Sequence, residues 1–175
     1  MSESIYILGA ARTPVGSFQG SLASQSAPEL GAHAIAAALA NGQVNVDEVN
    51  EVIIGNVVSS ALKQAPARQA MRMADLPDSC AATTINKVCG SGMKATMLAM
   101  DLIRAGSADT VVAGGMESMS NAPYLVAKAR TGLRMGHAGM LDSLFTDGLE
   151  DAETGGSMGS FAQNTADEHQ LTREA

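Results

Sequence analysis

The sequence predicts an α/β fold built from stacked layers, and three features carry that prediction. Short apolar or β-branched runs, Val52-Ile53-Ile54-Gly55, Ala81-Ala82-Thr83-Thr84-Ile85 and Thr110-Val111-Val112-Ala113-Gly114-Gly115, alternate with stretches of helical periodicity. The first and last of these runs are apolar without alternation, the pattern of strands covered on both faces in a parallel sheet. Aromatic residues make up only 3% of the chain, so Ala, Gly and Met fill the interior, and small side chains suit closely packed layers.

Taken in order, residues 4–8 read as a strand ending in Gly9-Ala10-Ala11, and 12–18 as a loop punctuated by Pro14 and Gly16. Gly9 and Gly16 lack the G-K-[ST] that a phosphate loop needs. Ser26 is the N-cap of a helix with Pro28 and Glu29 in its first turn, and Asn41-Gly42 stops it. Beyond the 52–55 strand, Pro66-Ala67-Arg68 opens a second helix that runs through Met71 and Met73 and closes before Leu76-Pro77. Strand 81–86 then leads to Cys89 at a tight turn. Met93, Met97, Leu98, Met100, Leu102 and Ile103 recur at helical spacings until Gly106, and the strand at 110–115 follows. From Met116 the character changes. Residues 117–124 form a loop, and 144–149 and 161–168 read as short helices within a stretch rich in Gly, Met and polar residues. The expected division is an α/β domain over 1–120 and an incomplete second substructure over 121–175.

A net charge of −7 argues against nucleic acid or an anionic membrane as a partner, although a phosphorylated ligand needs only a local positive patch. No apolar run approaches a membrane span, and the first predicted strand leaves no room for a signal peptide, so the expectation is a soluble, cytoplasmic protein. Cys80 and Cys89 do not form C-x-x-C, and no His/Cys group has zinc-like spacing, so no structural metal is expected. His33, His137 and His169 read as packed or surface residues.

The chemistry concentrates at Asn86-Lys87-Val88-Cys89-Gly90-Ser91-Gly92-Met93-Lys94-Ala95. Free N–H groups and the positive end of the dipole at a helix start favour an anion, so a thiolate at Cys89 is stabilised there. Gly90 and Gly92 clear the approach to the sulfur for a bulky acyl group and for N–H groups aimed at an oxyanion. The plainer alternative is a buried structural cysteine. The helix that follows is apolar most of the way round, interrupted by Lys94, Asp101 and Arg104, which marks a helix covered on nearly all sides. A second chemical reading competes. Gly90, Gly92 and Ala95 match G-x-G-x-x-G/A after a strand, with Glu117 about twenty residues on, as a dinucleotide-binding dehydrogenase would have.

The cysteine segment closely resembles the nucleophile segment of thiolases, the acetyl-CoA C-acyltransferases. So do Arg12-Thr13-Pro14-Val15-Gly16, Pro66-Ala67-Arg68-Gln69-Ala70, the run from Gly114-Gly115-Met116-Glu117 to Asn121-Ala122-Pro123-Tyr124, and Met158-Gly159 followed by Ala162-Gln163-Asn164. The resemblance spans the chain in the family's order. It implies a layered thiolase-like fold, the N-terminal half, with a mixed, mainly parallel sheet and a buried central helix, plus part of an inserted loop domain. It also implies carbon–carbon bond formation or cleavage in 3-ketoacyl-CoA thioesters, with Cys89 as acyl carrier and its backbone N–H as an oxyanion donor.

By the same resemblance the ligands are CoA and acyl-CoA as substrates, with no bound cofactor or metal, and the assembly is a homo-oligomer, a tetramer or dimer. Leu149, Ser157 and Met158 become pocket residues, with Ser157 where many short-chain biosynthetic thiolases have histidine. Residues 127–140 resemble the loop that ties family tetramers together, the alternative being a flexible surface loop. Family members carry a second half with a Gly-His-Pro segment and a Cys-x-Gly-Gly-Gly motif, neither of which is in these residues. The expectation is therefore an N-terminal piece of a chain roughly twice as long or more, or one completed by another polypeptide, whose single sheet leaves the cysteine helix partly bare. An inactive binding or assembly piece is the remaining possibility.

Overall fold

A strand forms wherever the sequence concentrates β-branched and small apolar residues, and three of these pair into one parallel sheet. The computed structural model describes residues 4–174. Strands β1 (Glu51–Gly55), β2 (Ala81–Ile85) and β3 (Val111–Gly115) take the order β2-β1-β3. Their registers are parallel, with Gly55 opposite Ile85 on one side and Gly115 on the other. All three strands therefore finish at the same level. Central β1 is the most buried of them, as its uninterrupted apolar run requires.

The period of two along β1 assigns its side chains to two layers. Val52 and Ile54 belong to the main core, together with Ile35 and Leu39 of helix α1 (Ala27–Gly42) and Ala67, Ala70 and Met71 of helix α2 (Pro66–Met73). Ile53, one residue out of phase, is buried outside that cluster. Helix α3 (Ser91–Arg104) packs on β1 and β3.

Local chemistry explains the helix ends. The Ser26 N–H donates to the Glu29 carboxylate at 2.7 Å, and the Ser26 hydroxyl accepts from the Glu29 N–H, a complete capping box. The Ser26 N–H and the Ser26 hydroxyl, which donates to the same carboxylate oxygen at 2.7 Å, hold the Glu29 carboxyl below its usual range. At Gly31 a Cβ would meet Met116 Sδ at 2.6 Å and Ala70 Cβ at 3.2 Å, so a residue without a side chain lets α1 lie close against α2.

One expectation needs correction. Residues 4–10 form no strand. A strand exists through its ladder, and neither edge of the three-stranded sheet accepts this segment, which lies instead along the end of α1. The Asn41 side chain donates to the Ala10 carbonyl at 3.0 Å, and Gly9 sits against Ala38 and Gly42 with no room for a Cβ. Helix α3, apolar most of the way round, is enclosed on one side only in this chain, as expected of a single sheet. Ser91, Ala95 and Ala99 are buried on the sheet, while Met93 and Met97 are 74% and 48% exposed. One sheet can cover one stripe of a helix, which is why Met93 and Met97 stay bare.

The residues divide into two compact units, one running through Ala122 and the other from Pro123 onward. In the second, β4 (Tyr124–Leu125) and β5 (Leu141–Asp142) pair antiparallel, and the Ser143 hydroxyl donates to the Pro123 carbonyl at 2.6 Å. The expected helix at 144–149 is a short turn with π geometry over Phe145–Leu149, and α4 (Met158–Glu168) starts three residues before the expected 161. Residues 126–140 are all exposed. No helix among the described residues is long and apolar enough to cross a membrane.

Candidate functional site

β2 ends at Ile85, and the chain must turn sharply within five residues to start α3 at Ser91. Side chains of the turn itself fix its shape. The Asn86 carboxamide oxygen accepts the Val88 N–H at 2.9 Å. The Ser91 hydroxyl accepts the Lys87 N–H at 2.9 Å and donates to the Val88 carbonyl at 2.6 Å. Backbone bonds from Gly90 N–H to Lys87 O and from Ser91 N–H to Val88 O complete the turn. Val88 adopts φ +47°, a left-handed conformation that is costly for a β-branched residue and that clusters at functional sites.

Cys89 stands at the apex, exposed, one residue before the Gly90 N-cap of a 14-residue helix. The hydrogen bonds of the turn engage the N–H groups of Lys87, Val88, Gly90 and Ser91 and pass over that of Cys89. The plainer expectation of a buried structural cysteine describes Cys80 instead. That thiol is buried and pushed up, first by desolvation and then by the charge of Glu51.

The seat of the turn consists of glycine. A Cβ on Gly55 would collide with Ser91, and a Cβ on Gly92 would meet the Gly115 backbone at 3.5 Å. The ends of β1 and β3 thus touch the first turn of α3 directly, backbone against backbone. Just beyond them Glu117 reaches back. Its carboxylate accepts the N–H groups of Val57 at 2.9 Å and Val58 at 3.1 Å and the Asn56 amide at 2.7 Å. Burial is the largest influence on this carboxyl and raises it above the usual glutamate range, against the lowering by those three donors. The sequence alone marks Glu117 as the acidic residue of a dinucleotide site and as part of the thiolase-like run, and gives Asn56 no role. The polar Asn56 directly after a buried strand was the available signal.

The dinucleotide alternative needs Glu117 free at the strand ends. Here it is spent on the protein's own backbone. Gly92 likewise serves helix–strand packing against Gly114 and Gly115.

Leu149, Ser157 and Met158 lie in the second unit. An antiparallel bridge pairs Glu150 with Ser157, which sets Leu149 and Met158 at neighbouring positions beside it. Ser157 is the N-cap of α4, its hydroxyl accepting the Ser160 N–H at 3.2 Å. The intervening loop is tied by Asp151, whose carboxyl is held below its usual range by the Thr154 hydroxyl and N–H. His33, His137 and His169 are exposed, and among the described residues no group of three or more His, Cys, Asp or Glu is placed to hold a metal ion.

A cleft of about 480 Å³ lies at the opposite end of the sheet, beside Asn50, Asp109 and Thr110. A smaller one of about 140 Å³ reaches Gly115, Met116 and Glu117 from the side of Arg12 and Thr13. Neither is lined by Cys89.

Comparison with known proteins gives a consistent result. Residues 5–175 match the sequence model described as "Thiolase, N-terminal domain". Acetyl-CoA acetyltransferase 2 of Arabidopsis thaliana is 52% identical over 170 residues, covering 97% of this chain and 42% of that protein. Acetyl-CoA acetyltransferase of Pseudomonas aeruginosa is 51% identical over 172 residues, covering 98% and 44%. Among solved structures, Acat5 thiolase from Ascaris suum in complex with coenzyme A superposes with a TM-score of 0.89 at 40% identity, covering 97% of this chain and 44% of that one.

Sheet, cysteine turn and matches together define a layered α/β protein of the thiolase class. The chain belongs to the thiolase family, and its residues correspond to the family's N-terminal domain. It spans under half the length of the curated relatives it matches.

Proposed function

We propose that the chain supplies the nucleophile of an acyltransferase that forms or cleaves the carbon–carbon bond of 3-ketoacyl-CoA thioesters. The observation that carries this reading is an exposed Cys89 held by its turn at the start of α3. In cleavage, the Cys89 thiolate attacks the 3-keto carbonyl, the C2–C3 bond breaks, and the departing carbanion is protonated to give acetyl-CoA. The acyl group stays on sulfur as a thioester until the thiol of a second CoA takes it and returns Cys89 to the free thiolate.

Synthesis runs through the same thioester. Acetyl-CoA acetylates Cys89 and releases CoA, and the enolate of a second acetyl-CoA attacks the acetyl carbonyl to give acetoacetyl-CoA. In either direction a tetrahedral oxyanion forms next to the Cys89 N–H, the group that the turn's own hydrogen bonds pass over.

The acid–base groups that move the Cα proton come from a second half outside these residues, in the same polypeptide or another. Leu149, Ser157 and Met158 contribute to the acyl pocket, and residues from 121 onward act as part of a loop domain. The working form is a cytoplasmic homo-oligomer, a dimer or tetramer, acting on CoA thioesters of fatty acid metabolism.

The test completes this chain with the remaining portion of the Pseudomonas aeruginosa relative and supplies radiolabelled acetyl-CoA. Label retained on the protein and lost in Cys89→Ala is the expected result. A folded, completed enzyme that takes no label, or one labelled equally without Cys89, overturns the proposal.

A further inference from the structure

We propose that Glu117 and Asn56 form a positioning pair that ties the carboxyl ends of all three strands together and so fixes the seat of the Cys89 turn. The proposal rests on the reading of Cys89 as acyl carrier and adds two residues that act through the backbone on which its turn is seated.

The connections run through named atoms. Glu117 leaves the end of β3 and accepts from Val57 N–H, Val58 N–H and Asn56 Nδ2 beyond the end of β1. The Asn56 amide also donates to the Met116 carbonyl at 3.3 Å, and the Asn56 backbone N–H donates to Ile85 O at 3.0 Å, at the end of β2. The Met116 N–H closes the circuit on Gly55 O at 2.9 Å. Asn86, the residue after Ile85, begins the cysteine turn, while Gly55 and Gly115 bear on Ser91 and Gly92. Because no side chain lies between these glycines and α3, a slip of one strand end against another passes undamped to the backbone on which Cys89 sits.

Two features separate the pair from ordinary packing. Met116 O and Glu117 Oε1 are both acceptors, so the Asn56 carboxamide must turn its NH₂ toward them. Its Oδ1 is then left buried with no donor, in a residue only 2% exposed. Glu117, for its part, is desolvated enough to be raised above its usual range while serving three donors. A stranded acceptor beside a desolvated carboxyl is costly to hold, and the cost falls at the one end of the sheet where the reactive turn begins.

The test uses the chain completed with the remainder of the Pseudomonas aeruginosa relative and the variants Glu117→Gln, Glu117→Ala and Asn56→Ala. Single-turnover acetylation of Cys89 from acetyl-CoA, KM for acetyl-CoA, and alkylation of Cys89 by iodoacetamide are measured on protein shown by near-UV circular dichroism to be folded. The expected result is acetylation slowed by about tenfold to a hundredfold, with alkylation slowed in parallel and KM nearly unchanged. Folded variants that acetylate and alkylate at the wild-type rate overturn the proposal. Should the alanine variants fail to fold, the isosteric Glu117→Gln decides. Failure of the Cys89 reading is a separate outcome, seen as wild-type enzyme that takes no acetyl group at all.

Discussion

Ser91 Oγ lies 2.6 Å from the Val88 carbonyl oxygen and donates its proton there, so the first residue of α3 holds the strained residue just before the cysteine. The same oxygen accepts the Lys87 N–H, and the side chain is nearly fully buried. Ser91→Ala therefore leaves the Lys87 N–H without its acceptor and takes one of two donors from the Val88 carbonyl, which keeps the Ser91 N–H, and the expected loss is about 1–2 kcal/mol of stability. Urea denaturation measures it. A loss within experimental error would show that the turn is held by its backbone bonds alone.

Val88 supplies the converse case. A β-branched residue at φ +47° costs roughly 1–2 kcal/mol, which glycine would not incur. Val88→Gly also gains backbone freedom when unfolded, so its stability should stay level or rise by no more than about 1 kcal/mol. Acetylation of Cys89 in the completed enzyme should nevertheless slow, because the turn is no longer held to one shape. A stable variant with faster acetylation would contradict the assignment of a positioning role to this strain.

Glycine substitutions should sort by what a Cβ would strike. Gly55→Ala drives a methyl group into Ser91 and should cost at least about 3 kcal/mol or undock α3. Gly106→Ala meets open space but sits at φ +70°, so the expected cost is about 1 kcal/mol. Gly139→Ala meets nothing within 4 Å and has no such φ, and should fall within about 0.5 kcal/mol of the parent. Thermal unfolding of the three variants checks the order.

Glu117 gives the pH dependence a definite sign. Its folded-state pKa is raised, chiefly by burial, so the folded chain holds the proton more tightly than the unfolded chain does. The stability it contributes is fully present below the ordinary glutamate pKa and is lost as pH rises through the raised value. Unfolding free energies of wild type and Glu117→Gln, measured across this window, should show wild type losing ground to the variant as pH increases. A difference that stays flat, or that grows with pH, would refute the direction of the shift.

The sequence announced the three strands, α1 with its Ser26 cap, α2 and the cysteine turn, because each is written in local chemistry: an apolar run, a capping box, a proline start, glycines around Cys89. Residues 4–8 misled because their alternation describes a willingness to pair, and pairing depends on an available edge. The bare side of α3 was anticipated from one sheet facing a helix that is apolar all round. Asn56 and Glu117 stayed hidden because their partners lie about 60 residues apart in sequence, a distance at which no periodicity operates. The small β4–β5 ribbon escaped for a related reason, since two-residue strands leave no pattern to read.

The bed beneath the cysteine has a bearing on how such a chain can drift. Its outer charges, its loop at 126–140 and even its bare methionines have space to change, whereas latitude is least at positions that carry no side chain whatever, among them Gly55, where an added carbon would strike Ser91, and Gly9, where one would strike Ala38 and Gly42. Altering the first of them offers a way to silence the sulfur without removing a single reactive group, a kind of lesion that an inventory of functional atoms would pass over.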